Sequence, residues 1–152
     1  MTISTRIGRL LALAAAVIMG CEGGPRKKPV FQVHGQLTYM GQPMANASVT
    51  FHSVDANDRT TPAHATTDAD GHYELHTYRA GDGAPAGECI VTIHWPGTQP
   101  RSMSKLKSLD PEDIDNPVIT VDQLGNKYLT VSASSLRATV EPKDNTIDFH
   151  LK

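Results

Sequence analysis

Apolar and polar residues alternate with a period of two in seven separate runs of this chain. Phe31, Val33, Gly35 and Leu37 share one face of the first run, Val30 to Leu37. Val49, Phe51 and Ser53 share one face of the second, Ala47 to Val54, and a short third run covers Ala63 to Thr67. In the fourth, Tyr73, Leu75 and Thr77 oppose His72, Glu74, His76 and Tyr78; in the fifth, Cys89, Val91 and Ile93 oppose Thr92 and His94. Leu136, Ala138 and Val140, then Ile147, Phe149 and Leu151, close the series. A period of two is the mark of a half-buried strand, and the β-branched residues of Cys89 to Trp95 strengthen it. The pattern predicts one all-β domain over 30–152, a sandwich of about seven strands.

The breaks between the runs have their own chemistry. In Asp68-Ala69-Asp70-Gly71, an aspartate can bond its own backbone two residues on and glycine accepts positive φ, so the stretch predicts a tight turn. Gly41-Gln42-Pro43 and Asp144-Asn145 read as further turns, the second closing a final hairpin. Ala80 to Gly87, rich in Gly and Pro, reads as a shaped connection that is neither helix nor strand. Pro96-Gly97 ends the fifth run. From Pro96 to Lys127 the pattern fades, with Pro100, Pro111 and Pro117 interrupting it and one helical turn expected over Ser108 to Asp115. Asp110, Glu112, Asp113 and Asp115 crowd this segment without the spacing and glycine bend of a calcium loop, which leaves a solvated acidic loop.

Two of these stretches carry a family resemblance. Thr67-Asp68-Ala69-Asp70-Gly71 with Tyr73 and Leu75, followed by Gly83-Ala84-Pro85-Ala86-Gly87-Glu88 and Val91-Thr92-Ile93, resembles the carboxypeptidase-regulatory-like domain of the transthyretin-like group. Val33 to Leu37 and Gly41 to Phe51 resemble its opening motif. The resemblance covers Phe31 to Trp95 and, more loosely, the C-terminal third, and departs at Cys89, where the family usually has an aromatic residue. It implies an immunoglobulin-like Greek-key sandwich serving as a folded adjunct without an active centre. The group also contains a hydrolase of a cyclic urate-breakdown product, whose hallmark tail differs from Phe149-His150-Leu151-Lys152 here.

The first twenty residues belong to no fold. Arg6 and Arg9 precede the apolar run Leu10 to Met19, which is short for a bilayer span and typical of a signal peptide. Ile18-Met19-Gly20-Cys21 resembles a bacterial lipobox, which implies cleavage after residue 20 and acylation of Cys21. Each buried methylene contributes about 0.8 kcal/mol, so two or three acyl chains would hold a small domain on a membrane. The expected location is therefore the bacterial cell envelope, with Glu22 favouring the outer membrane by analogy with the enteric sorting rule. Residues 21–29 read as the lipidated cysteine and a flexible tether, its Arg26-Lys27-Lys28 cluster near the headgroups.

The chain has 152 residues, which suits one domain, and 10 Pro with 12 Gly, which suits short strands and turns. Formal net charge is −2 and falls to −4 when Arg6 and Arg9 leave with the leader. An acidic body with no basic stripe repels phosphate backbones, which excludes nucleic acid as a partner.

Candidate chemistry is sparse. His72 and His76 lie about 13 Å apart if fully extended, too far to share one zinc. His34, His52, His94 and His150 fall on separate strands and read as surface residues. Cys89, among Val91 and Ile93, reads as a buried inert thiol. Asp68 and Asp70 are explained by their turn, and no G-x-S-x-G elbow is present. The expectation is a non-catalytic binding or structural module with no cofactor and no metal, anchored through Cys21. Its contact surface would be a sheet edge or the 96–127 connection, and its partner an envelope protein or glycan. Two rivals remain: a small hydrolase or metal enzyme using His34, His94 and His150, and a carbohydrate-binding module, for which Trp95 is the only tryptophan.

Overall fold

A computed structural model describes residues 27–100 and 118–152. Among these residues the regular structure is entirely β, in thirteen short strands. The strands are β1 (Val30–Phe31), β2 (Val33–Tyr39), β3 (Gln42–Pro43), β4 (Ser48–Ser53), β5 (Ala63–Thr66), β6 (His72–Glu74) and β7 (Ala84–Pro85). They continue with β8 (Gly87–His94), β9 (Pro96–Pro100), β10 (Val118–Asp122), β11 (Arg137–Val140), β12 (Asn145–Thr146) and β13 (Phe149–Leu151). The seven expected runs are all present, but several are split and the weakly patterned segments add strands of their own.

Two sheets face each other. One is antiparallel in the order β11-β8-β4-β5. The other is centred on β2, with β3 and β6 antiparallel to it and β12 and β13 parallel to it. Their inner faces carry the residues that alternation assigned inward: Val33, Leu37, Val49, Phe51, Tyr73, Leu75, Val91 and Ile93 are all buried. Phe51 of β4 spans the gap, 6.5 Å from the Tyr73 ring and 6.2 Å from Phe149. Full burial of each such aliphatic or aromatic side chain stabilises by about 1.5–3 kcal/mol, which makes this interlayer the main source of stability.

The Asp68 turn forms as its chemistry dictates. The Asp68 carboxylate accepts the amides of Asp70 and His72 at 2.9 and 2.8 Å, and Gly71 takes φ +77°. The first hairpin differs by one residue from the expected Gly41-Gln42-Pro43 turn. Tyr39 pairs with Gln42, so the loop is Met40-Gly41, both at positive φ, the two-residue turn that suits strand twist. Pro43 then sits on the edge strand β3, where its missing N–H does least harm.

Four other expectations are corrected. The connection 80–87 does contain a strand, because Ala84–Pro85 pairs with Val30–Phe31. The Asp82 carboxylate gathers the amides of Thr77, Tyr78 and Arg79, and this shapes the loop so that β7 reaches β1. Pro96 does not end the structure, since Pro96–Pro100 pairs antiparallel with Val118–Asp122. Asp122 secures this arm by accepting the Trp95 and Asn126 amides at 2.8 and 2.7 Å. Asn145 is not a turn residue but opens β12. Finally, no hairpin joins the last runs: β11 pairs with β8 in one sheet, and β12 and β13 pair with β2 in the other. The expected helical turn at Ser108 to Asp115 and its acidic cluster lie outside the described residues.

The end of the expected tether is docked on the body. The Lys28 ammonium meets the Asp58 carboxylate at 2.8 Å, and the Lys28 amide donates to the Tyr78 hydroxyl at 2.9 Å. Lys27 lies over the Tyr78 ring. These two lysines are therefore engaged by the domain rather than left for headgroups. The Asp58 side chain is only 4% exposed. Burial alone would raise its pKa, but bonds from Lys28 and from the Thr60 hydroxyl and amide outweigh this and hold it well below the usual carboxylate range. The unfolded carboxyl titrates near 3.9, so the stability it contributes is present above about pH 4 and fades as pH falls towards the depressed folded value. Asp58→Asn is expected to cost about 1–2 kcal/mol at pH 7, with solvent at the half-exposed ammonium screening the ion pair itself. Urea titrations should show that deficit shrinking between pH 4 and 2. A deficit that stays constant over that range would rule out the charged interaction.

Candidate functional site

The most distinctive polar site lies where the ladder beside β2 is interrupted. Gly35 points inward between Val33 and Leu37. In place of a side chain there, the Ile147 carbonyl comes in: a Cβ on Gly35 would lie 1.9 Å from the Ile147 oxygen and 3.1 Å from the Tyr73 ring. The Tyr73 hydroxyl donates to that carbonyl at 2.5 Å. The Ile147 amide still donates to the His34 carbonyl at 2.9 Å, but the next ladder acceptor is lost to β2. The Asp148 side chain replaces it, taking the Gln36 amide at 2.8 Å. This substitution separates β12 from β13.

The interruption leaves an open depression of about 320 Å³ lined by His34, Gln36, His72, Thr146 and Asp148, with Tyr73 beneath. Gln36 is held by donating its side-chain amide to the Asp70 carbonyl at 2.8 Å, which ties the depression to the Asp68 turn. Burial, reinforced by the Asp148 charge, pushes the Tyr73 hydroxyl far above its ordinary pKa, so it stays protonated and acts as a fixed donor. The lining offers hydrogen-bond donors and acceptors to a polar group.

The histidines are distributed, not gathered. His34 Nε2 meets the Thr146 hydroxyl at 2.9 Å, His150 Nδ1 meets Thr38 at 2.8 Å, and His52 Nε2 meets Thr92 at 2.9 Å. A hydroxyl beside an imidazole is the start of a nucleophile-and-base pair. Its repetition at three places marks it here as a cross-strand pairing of polar side chains. Burial also holds His52 below the usual imidazole pKa. His34 and His150 belong to the β2 sheet and His94 to β8 of the other, so the trio of the metal-enzyme rival is not assembled. Among the described residues no group of three or more His, Cys, Asp or Glu is placed to hold a metal ion.

Cys89 is buried, and burial, with Asp58 adding to it, pushes its thiol up to about 11, which disfavours the reactive thiolate. It packs as the small apolar residue its neighbours predicted. Trp95 packs edge-on against Tyr39 at 5.9 Å and gives its indole N–H to the Ala45 carbonyl at 3.0 Å. Cys21 lies outside the described residues.

No family model and no curated protein sequence matches this chain. Solved structures give weak likenesses. A DUF3823 family protein from Parabacteroides merdae is 13% identical at a TM-score of 0.38, over 82% of this chain and 46% of that one. A 9R-lipoxygenase from Cyanothece PCC8801 is 14% identical at 0.35, over 80% of this chain and 16% of that one. The dioxygenase domain of a dioxygenase carbohydrate-binding protein fusion from Streptomyces sp. SirexAA-E is 18% identical at 0.34, over 87% and 95%. This chain thus spans less than half the length of the first two. Likeness of this degree transfers no function.

Gly35 and Asp148 were missed as site residues in the sequence. The available signal was a glycine at an inward strand position, which marks a bend or a close backbone approach. Asp148 carried none, because its role depends on an amide 112 residues away.

Proposed function

We propose that this chain is a bacterial envelope lipoprotein whose β-sandwich serves as a non-catalytic binding or structural module of the carboxypeptidase-regulatory-like, transthyretin-like kind. The observation that carries the non-catalytic part is the use made of the polar side chains. His34, His52 and His150 are each tied to a threonine hydroxyl, and Asp148 to a backbone amide, so these four candidate acid–base groups are holding strands together. The anchoring part rests on the sequence: a basic start, a short apolar run, and Gly20-Cys21 followed by Glu22-Gly23-Gly24-Pro25.

In this reading the leader 1–20 is removed, Cys21 carries the acyl chains, and the domain contacts an envelope protein or a glycan through an edge strand or the polar face around Gln36. The outer membrane is the preferred site. Mass spectrometry of the protein extracted from membranes is expected to show an N-terminus at Cys21 bearing diacylglycerol, and Cys21→Ser is expected to leave the leader uncleaved. An unmodified chain beginning at Met1 in the wild type would overturn the lipoprotein reading.

A further inference from the structure

We propose that His64 and His76 form a two-histidine chelate for a divalent transition metal, Cu(II) in preference to Ni(II) or Zn(II), placed across the seam between the two sheets. His64 belongs to β5, the edge of one sheet. His76 follows β6, the edge of the other. The two residues pair antiparallel and exchange both backbone bonds, each at 3.0 Å. Directly opposed residues of this kind hold their Cβ atoms about 5 Å apart.

Their rings are already together, with centroids 4.1 Å apart and planes at 60°. Two imidazoles bound cis to one ion through bonds of 2.0–2.1 Å place their centroids roughly 4.5–5 Å apart. Small side-chain rotations therefore convert the present arrangement into a chelate, with no movement of the backbone. His34, His52 and His150 each hold a threonine hydroxyl, whereas the His64 and His76 rings make no hydrogen bond among the described residues. Their nitrogen lone pairs are available. The Asp82 carboxylate is fixed by the amides of Thr77, Tyr78 and Arg79, the three residues that follow His76, so it contributes negative potential near the pair without leaving its loop. Two imidazoles with water in the other positions suit borderline ions, and the order of affinity follows the general series that peaks at copper.

A metal that binds the paired histidines in the folded chain, and not in the unfolded one, stabilises in proportion to the logarithm of its concentration. Thermal unfolding of the full chain with Cu(II), Ni(II) or Zn(II) should show Tm rising in that manner, most for copper. The shift should vanish in His64→Asn and in His76→Asn, and persist in His72→Asn. Electron paramagnetic resonance of the Cu(II) complex should show two nitrogen ligands in the wild type and fewer in either variant, a readout independent of stability. No Tm shift up to millimolar metal would overturn the proposal. So would a shift or a two-nitrogen signal of wild-type size in His64→Asn, which would place the metal elsewhere.

Discussion

Replacing Gly35 with alanine is expected to cost about 3–5 kcal/mol, a large share of the stability of an ordinary domain. The methyl group would have to occupy the space of the Ile147 carbonyl, 1.9 Å from its oxygen, and that atom is backbone with no rotamer to escape into. Moving the carbonyl breaks the Tyr73 bond and leaves a hydroxyl buried without a partner. It also pulls Asp148 from the Gln36 amide. Tyr73→Phe provides the measure of one component, with an expected cost of about 1–2 kcal/mol because only the hydroxyl is lost. The two changes share the Ile147 carbonyl, so the double variant should cost less than their sum. Urea unfolding of the three variants checks this; a Gly35→Ala protein within about 0.5 kcal/mol of wild type would mean that Ile147 does not sit there.

The second large effect belongs to Asn145, where the chain passes from one sheet to the other. Its side chain, with the residue only 6% exposed, donates to the carbonyls of Gln32, Glu141 and Lys143 and accepts the Glu141 amide at 2.9 Å. Asn145→Ala removes these bonds at an expected cost of about 2–3 kcal/mol. Asn145→Asp should be worse at pH 7, by roughly a further 1–2 kcal/mol, because it turns a donor into an anion facing three carbonyl oxygens. The sign with pH separates the two. The new carboxyl is disfavoured as an anion, so its folded pKa is raised, and the aspartate variant regains stability as pH falls from 7 towards 4. The alanine variant gains nothing by that route. Denaturant midpoints at pH 7 and pH 5 decide the matter, and an aspartate variant as stable as alanine at pH 7 would remove Asn145 as the fastener of the crossover.

What could be read from the chain was whatever depends on neighbours in sequence. The period of two found β2, β4, β5, β6 and β8 and assigned Val33, Leu37, Val49, Phe51, Leu75, Val91 and Ile93 to the interior. The Asp68 turn was legible because its acceptor and donors lie within four residues. What depended on partners far along the chain was not. Periodicity tells which side of a strand is wet, and does not tell which strand lies beside it. Hence Leu136 to Leu151 read as a hairpin, although its halves belong to different sheets. Prolines at 43, 85, 96 and 100 read as breakers, yet each lies in a short strand, because edge positions tolerate a missing donor. The same limit hid the candidate sites: the Gln36–Asp148 contact joins residues 112 apart, and the His64–His76 pair joins two sheet edges that sequence alone does not align.

The parallel seam between β2 and the last two strands also governs how the molecule is made. Thr38 waits for His150, and His34 for Thr146, each 112 positions downstream. Long-range closures of this kind form slowly, because their entropy is lost before their contacts compensate. During synthesis, one flank of the central strand therefore stays bare until nearly the whole domain has been released. In that interval the exposed flank is a template for another copy's strand, and the chance of aggregation is greatest then.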